Sequence, residues 1–155
     1  MPLRIEPVPR HETLFLLPML LDADEGEARI RAVLLDPACT AYASWLGDQL
    51  VGAAVVRWEE KDPGEILYIE VAAALRGRGY GKQIIRALQE ELARRGGRSL
   101  LVGTANAALE NIAFYQKCGF RMSEIRRDYF SYIQPPVLEH GIVLRDMLVL
   151  RYDLD

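Results

Sequence analysis

The spacing of apolar and polar residues changes several times along the chain, and each change predicts an element of secondary structure. Residues 3–8 alternate as a half-buried strand does, and residues 11–35 carry mostly helical spacing in two pieces. The second piece, at 24–37, begins with acidic residues and stops at Pro37, as a helix does. The amino-terminal part therefore predicts one strand followed by two helices.

Three strands are predicted next. Two apolar runs within residues 39–60 flank Gly47 and Asp48, which predicts a β-hairpin with these two residues in its turn. Residues 61–65 predict a second turn because they combine proline and glycine in favourable places. Residues 65–72 form a nearly continuous apolar run, which predicts a strand buried on both faces in the middle of a sheet.

The second half of the chain alternates between helical and strand patterns. Ile84, Ile85, Leu88 and Leu92 share one side of a predicted helix, which ends at the glycine pair 96–97. The remaining predictions are a strand at 98–103, a helix at 108–117 closed by Gly119, and two final strands within 119–130 and 141–154.

The order of these elements predicts the fold class. A strand–helix–strand unit with a right-handed crossover places two parallel strands inside a sheet that is otherwise mostly antiparallel. We therefore expect a mixed α/β (α+β) fold and not a doubly wound sheet. The length of 155 residues suits one domain, so a single domain spanning 1–155 is expected.

Composition and charge exclude several classes of function. Half of the residues are hydrophobic and the net charge is −3, so the chain has a globular composition and lacks the basic character of a nucleic-acid-binding protein. Cys39 and Cys118 are too few for a disulfide framework and lack metal-ligand spacing. No nucleic-acid partner and no metal are therefore expected, and a reducing, cytoplasmic location is the simplest interpretation.

The apolar run at 14–21 does not predict an export signal or a membrane span. Pro18 interrupts it, it is too short to cross a bilayer, and acidic residues follow it directly. We therefore expect no membrane partner.

Three glycines and three cations lie together at residues 76–82, between the predicted central strand and the next helix. Glycines allow a tight turn that brings several N–H groups to one point, and the start of a helix adds a positive dipole. This pattern indicates phosphate binding. A glycine turn that only caps the helix, with solvated arginines, stays open as the alternative.

Two well-known phosphate motifs do not fit. The phosphate loop requires Ser or Thr after Gly-Lys, but Gln83 follows Lys82, and Arg76 occupies the position of its first glycine. The dinucleotide fingerprint requires a third glycine where Lys82 stands.

Arg76-x-x-Gly79-x-Gly81 instead resembles the pyrophosphate-binding motif of the GNAT superfamily of acetyl-CoA-dependent N-acetyltransferases. Residues 111–120, NIAFYQKCGF, resemble the downstream block of the same family. The two motifs and the elements around them cover nearly the whole chain, and residues 103–121, RDYF and HGIVLRDM resemble a small stand-alone bacterial subgroup. The resemblance implies a twisted, mostly antiparallel sheet of six or seven strands, one splayed parallel pair and about four helices.

The resemblance also implies acetyl-CoA as the co-substrate, held between the splayed strands. Main-chain groups would hold its pantetheine arm and the glycine-rich turn its pyrophosphate. The implied cofactor-binding residues are Val71, Ala72, Ala73, Arg76, Gly77, Arg78, Gly79, Tyr80, Gly81, Lys82, Asn106 and Tyr115. The alternatives left open are core packing at 71–73, surface charges for the two arginines, and a helix cap or loop residue for Asn106.

Three residues are candidates for catalysis. Tyr115 matches the family's tyrosine near the cofactor sulfur, where it would protonate the leaving thiolate. The base that takes the proton of the amine is Glu70, which interrupts an apolar run, or Glu65, at the position several family members use. Five residues apart, the two would face opposite ways in a regular strand, but a bulge of the kind the family has would change that parity.

Each of these candidates also has a structural interpretation. Tyr115 would be a half-buried aromatic side chain, Glu65 a surface charge at the end of a turn, and Glu70 a salt-bridged structural acid. Cys118 is expected to be a small buried residue and not a nucleophile.

The expected function is transfer of an acetyl group from acetyl-CoA to a primary amine of a small molecule or peptide, by direct attack in a ternary complex. A non-catalytic acetyl-CoA sensor and transfer of a different acyl group are the alternatives. A homodimer is left open.

Overall fold

The computed structural model describes residues 2–21, 26–60 and 63–155. Its strands are β1 (Arg4–Val8), β2 (Cys39–Leu46), β3 (Gln49–Arg57), β4 (Gly64–Val71), β5 (Ser99–Ala105), β6 (Arg121–Arg126), β7 (Leu138–Glu139), β8 (Ile142–Val143) and β9 (Met147–Asp153). Its α-helices are α1 (Leu17–Leu20), α2 (Glu27–Leu35), α3 (Tyr80–Arg94) and α4 (Leu109–Lys117), and 3-10 helices lie at Arg10–Leu16 and Ala73–Leu75.

Within the described residues, seven of the strands form one sheet in the order β1-β2-β3-β4-β5-β9-β6. Neighbours are antiparallel except for β4 and β5, which are parallel and are connected through α3. The remaining two strands, β7 and β8, pair as a separate ribbon. The predicted mixed α/β fold with one parallel pair is confirmed.

The parallel strands separate soon after they meet. Residues 64–66 of β4 pair with 100–102 of β5, and in the described chain their pairing stops there. Beyond that point β4 continues beside β3, and β5 continues beside β9. A gap therefore opens in the middle of the sheet, toward the carboxyl ends of both strands.

Helices cover the two faces of the sheet. On one face α3 buries Ile84, Ile85, Leu88 and Leu92, the four residues whose spacing predicted the helix. Burying a side chain of this size contributes about 1.5–3 kcal/mol, so this stripe fixes α3 against the sheet. On the other face the amino-terminal helices pack through Leu16, Leu20, Ile30 and Leu34.

The prediction that the central strand is buried on both faces is wrong for most of its length. Gly64 and Ile66 are buried, but the later residues of β4 are only half-buried. The separation of β4 from β5 explains the difference, because it removes the neighbour that would cover this edge.

Several element boundaries also differ from prediction. The first helical piece is mostly a 3-10 helix, which starts after Pro9 and gives way to α1 near Pro18. The final strands are shorter than expected, because 142–143 pair in the separate ribbon and β9 begins only at Met147. The start of the second predicted helix and part of the turn at 61–65 lie outside the described residues. No helix of the described chain has the length and apolar character to cross a membrane.

Candidate active site

The gap between β4 and β5 exposes main-chain polar groups. The Ala72 N–H donates to the Val51 carbonyl at 2.8 Å, so at residue 72 the main chain faces β3. Successive residues of a strand direct these groups to opposite edges, so Ile69 and Val71 direct theirs into the gap. Of the three residues predicted to contact the pantetheine arm, Val71 lies at the gap, Ala72 binds β3, and Ala73 begins a 3-10 turn. Ile69, whose main chain also faces the gap, was not among the predicted residues.

The glycine-rich turn lies at the end of the gap and opens α3. Gly77 and Gly79 have φ of 79° and 84°, a conformation that only glycine adopts without strain. In the described chain, no backbone carbonyl accepts from the N–H groups of residues 77–82, and the first helical bond runs from Gln83 to Gly79 at 3.2 Å. Amides without a backbone partner and a helix dipole at one point would suit an anion, and the predicted phosphate contact of the turn stays a prediction.

Gly81 is required for a different reason. A Cβ atom built on Gly81 would lie 3.2 Å from the ring of Phe114. The first turn of α3 therefore packs closely against α4, and this contact places the amides of the turn beside the helix that carries Tyr115.

Tyr115 lies on the inner side of α4. It is 6% exposed and contacts Phe114 and Phe120 edge to face, with ring centroids 5.3 and 5.9 Å away. Burial raises its pKa above the ordinary range, and the negative charge of Glu70 adds to the shift. The phenol is therefore protonated at neutral pH and lies close enough to Glu70 to interact with it electrostatically.

Glu65 and Glu70 face the same side of the sheet. On the neighbouring strand β3, Glu65 pairs with Arg57 and Glu70 pairs with Ala53. Arg57 and Ala53 are four residues apart on β3, so their side chains share one face of the sheet. A bulge makes this possible, because Val56 pairs with Ile66 and Val55 with Tyr68, which leaves Leu67 as the extra residue.

The two glutamates have different partners. Glu70 is 14% exposed and accepts a hydrogen bond from Arg76 at 2.5 Å, whereas Glu65 is 26% exposed and lies 3.7 Å from Arg126. Arg76 also donates to the Val71 carbonyl at 3.1 Å. The side chain of Arg76, predicted to bind pyrophosphate, is therefore directed back at β4.

Asn106 does not line the cleft. Its amide donates to the Val143 carbonyl at 3.1 Å and accepts from the Arg145 and Asp146 N–H groups at 2.9 and 3.0 Å. These bonds tie the end of β5 to the segment before β9. They match the interpretation of Asn106 as a loop residue and engage its oxygen and one N–H of its amide, while its contact with the cofactor stays a prediction.

The two cysteines carry no sign of reactivity. Burial is the main cause that raises the pKa of both thiols, Cys39 and Cys118. A raised pKa lowers the thiolate fraction, so the expectation that Cys118 is not a nucleophile agrees with its surroundings.

The gap widens into a cleft of about 790 Å³ that contains both glutamates and Tyr115. Arg126 and Tyr129 also line the cleft. The sequence analysis did not identify the other polar residues that line it, which are Arg29, Arg57, Thr104, Asn111, Tyr132 and Glu139. Asn111 had a usable signal, because it precedes Tyr115 by four residues and so shares its helix face. The others come from distant elements and had none.

A gap lined by main-chain groups, with an anion-binding turn at one end, suits a long thioester substrate that carries phosphates. Substrates of this kind are used by acyltransferases. The comparisons with known proteins agree with this class. The model of the acetyltransferase (GNAT) family matches residues 8–120, and the chain belongs to this family, as its two motifs predicted.

Individual relatives match nearly the full length of the chain. The chain is 34% identical over 140 residues to an uncharacterized N-acetyltransferase of Bacillus subtilis (strain 168), YvbK, covering 90% of this chain and 89% of the relative. A B. subtilis acetyltransferase solved in complex with CoA superposes with a TM-score of 0.90 at 32% identity, covering 99% of both chains. A GNAT family acetyltransferase from Elizabethkingia anophelis, solved with acetyl-CoA bound, gives a TM-score of 0.89 at 27% identity over 98% of both.

Proposed function

We propose that the protein, as a single domain over residues 1–155, transfers an acetyl group from acetyl-CoA to a primary amine of a small molecule or peptide. The observation that carries this proposal is the gap itself. Ile69 and Tyr115 line the cleft into which it widens, and the turn of residues 77–82 follows β4 and opens α3. CoA and acetyl-CoA in the structures of two relatives support the choice of co-substrate.

The residues of the gap suit the two ends of acetyl-CoA, which when bound supplies a reactive thioester and a pyrophosphate. The amides of the turn would hold the pyrophosphate without needing side-chain charge. The Val71 N–H would donate to the thioester carbonyl and stabilise the negative charge that develops on its oxygen. No described metal site is needed for either contact.

Glu70 is the residue we assign as base. It would take a proton from the amine nitrogen, whose lone pair forms the new bond to the acetyl carbon while the carbon–sulfur bond breaks. Tyr115 would give its proton to the departing sulfur, so that the products are the amide and the free thiol. Exchange with solvent then restores both side chains.

The raised pKa of Tyr115 is compatible with this role. A weak acid transfers its proton only to a strong base. The burial that raises the pKa of the phenol also makes a thiolate in the same gap more basic, because both anions lose solvation. Tyr115 would therefore stay protonated until the carbon–sulfur bond begins to break.

The test is a titration of the purified protein with acetyl-CoA by calorimetry, combined with measurement of thiol release on a panel of amines, polyamines and peptide N-termini. Binding with amine-dependent thiol release would support the transferase, and the best amine would identify the acceptor class. Tight binding without release on the whole panel would favour a sensor. Faster turnover with propionyl-CoA or succinyl-CoA than with acetyl-CoA would mean that the enzyme transfers a different acyl group.

A further inference from the structure

The Arg76 side chain is directed at Glu70 and not outward from the glycine-rich turn. Its Nη2 donates to Glu70 Oε1 at 2.5 Å, and its Nε donates to the Val71 carbonyl at 3.1 Å. Two faces of the guanidinium are thus engaged by consecutive residues of β4. An arginine held in this way is positioned by β4 and has its charge next to the candidate base.

A short turn produces this arrangement. Residues 73–75 form one turn of 3-10 helix, in which the Leu75 N–H donates to the Ala72 carbonyl at 2.8 Å. The turn reverses the chain after β4 ends, so that residue 76 returns alongside residue 70. The glycines that follow then lead away into α3, and only their backbone remains directed at the anion-binding point.

We propose that Arg76 is a positioning residue for the general base: it holds the Glu70 carboxylate in place, while the backbone amides of residues 77–82 bind the phosphates. The inference rests on the proposed function, in which Glu70 accepts the proton of the amine. A charge-assisted hydrogen bond of this length fixes a carboxylate more firmly than a neutral one. Moving Arg76 to the phosphates would leave a largely buried carboxylate without this cation, which is unfavourable.

Other charged or titratable groups surround the cleft and also affect the electrostatic surroundings of Glu70. Tyr115 interacts with Glu70 electrostatically, and Arg126 is engaged by Glu65 and Glu124. From the remaining elements the cleft receives Arg29 on α2, Arg57 on β3 and Glu139 on β7. Arg76 contacts the Glu70 carboxylate directly, so its removal should act on Glu70 first.

The test compares R76Q and R76K with R86Q, which removes the same charge from an exposed position of α3 outside the turn. The protein is labelled at the glutamate carboxyl carbons, and the Glu70 signal is assigned by its absence from E70Q. In R76Q we expect this signal to titrate at higher pH than in the wild type, because the carboxylate loses its cation. R76K should lie between the two, and R86Q should match the wild type.

Cofactor binding and turnover are measured on the same variants. We expect the Kd of coenzyme A for R76Q to stay within about threefold of wild type, as exposed charges contribute little. We expect its kcat with the best amine of the panel to fall about tenfold, with an unchanged KM for acetyl-CoA.

Three results would overturn the inference. An unmoved Glu70 titration in R76Q would show that Arg76 does not act on the base. A rise of tenfold or more in the Kd of coenzyme A, confined to the Arg76 variants, would assign the side chain to the phosphates (tenfold corresponds to about 1.4 kcal/mol). Wild-type turnover in E70Q would remove Glu70 as the base, whereas the transferase activity is tested independently by amine-dependent thiol release.

Discussion

Glu65 and Glu70 lie five residues apart on β4 and yet face the same side of the sheet, because Leu67 forms a bulge between them. Both carboxylates therefore line one cleft, and residue parity does not choose between them as the base. Their surroundings do differ. Glu70 is the more buried and interacts with Tyr115, whereas Glu65 sits at the start of the strand beside Arg126.

This difference predicts unequal effects of two matched substitutions. We expect E70Q to lower kcat about 100-fold, as the loss of a general base does. We expect E65Q to change kcat by no more than about fivefold, because a partly exposed ion pair contributes only about 1 kcal/mol. Steady-state kinetics at saturating acetyl-CoA measure both, and a larger loss in E65Q would move the assignment of the base to Glu65.

Tyr115 and Tyr42 provide a second matched pair. Both are buried tyrosines with a raised pKa, but Tyr42 lies on β2 and accepts a hydrogen bond from Trp58 Nε1 at 2.9 Å. We expect Y115F to lower kcat about 100-fold with little change in the affinity for coenzyme A. Y42F should keep its kcat and lose about 1 kcal/mol of unfolding free energy, because the Trp58 N–H is left without its partner. Equal kcat values for the two variants would remove the general-acid role.

Gly79 and Gly47 test the anion-binding turn. Both have positive φ, 84° and 61°, and a Cβ on either would meet no atom within 4 Å. Alanine at each position should therefore cost about 1–2 kcal/mol of unfolding free energy through backbone strain. Only G79A should weaken coenzyme A binding, by about tenfold, because it displaces the amides that start α3. Calorimetry measures this, and an equal Kd for G79A and G47A would contradict the phosphate site.

Gly52 allows β3 to pack closely against β4, the strand that carries Glu70. A Cβ at this position would lie 2.8 Å from the Glu70 carbonyl oxygen and 2.8 Å from Ile84 Cδ1. We expect G52A to lose about 2 kcal/mol of unfolding free energy, because the backbone of β4 would have to move. At Gly103 the nearest atoms belong to the flexible side chain of Met147, so G103A should lose less than about 1 kcal/mol. Chemical denaturation measures both, and the reverse order would be inconsistent with the packing described.

His140 and Glu110 connect the β7–β8 ribbon to the start of α4, with His140 Nε2 2.8 Å from a Glu110 oxygen. Their hydrogen bond raises the pKa of His140 above its ordinary 6.5 and lowers that of Glu110 below its ordinary 4.5. The stability that His140 contributes is complete below pH 6.5 and is lost as the pH rises through the pKa of His140 in the folded protein. The stability that Glu110 contributes is complete above pH 4.5 and is lost as the pH falls through the pKa of Glu110 in the folded protein. The pair therefore stabilises most between these two values.

The variant that tests this pair is H140N, because His140 has a positive φ of 55° and asparagine tolerates that conformation. We expect the difference in Tm between wild type and H140N to be larger near pH 5.5 than near pH 8.5. Thermal unfolding followed by circular dichroism measures it. A difference that does not vary with pH would mean that the ion pair does not contribute.

Local patterns in the sequence predicted the parts of the site that depend on neighbours along the chain. The spacing of Ile84, Ile85, Leu88 and Leu92 predicted α3 and its buried face, because a helix repeats every 3.6 residues whatever surrounds it. The glycines of the turn predicted its backbone conformation, because the need for positive φ belongs to the residue itself.

The partners of Arg76 and Asn106 were decided by the tertiary structure. Both residues were expected to contact the cofactor, and in the structure Arg76 also binds Glu70 and the amide of Asn106 binds the segment before β9. The direction of a long side chain depends on what the folded chain places beside it. No spacing along the sequence records that.

What the sequence determined by itself was the family, the order of elements, the turn that suits a pyrophosphate and the candidate residues Tyr115, Glu65 and Glu70. What only the tertiary structure decided was the point at which β4 and β5 separate, the position of the bulge at Leu67 and the set of side chains that line the cleft. The physical reason is that strand pairing and register depend on contacts between residues far apart in the chain. Each edge of a strand forms hydrogen bonds with one neighbouring strand or with another, and the local sequence does not record which.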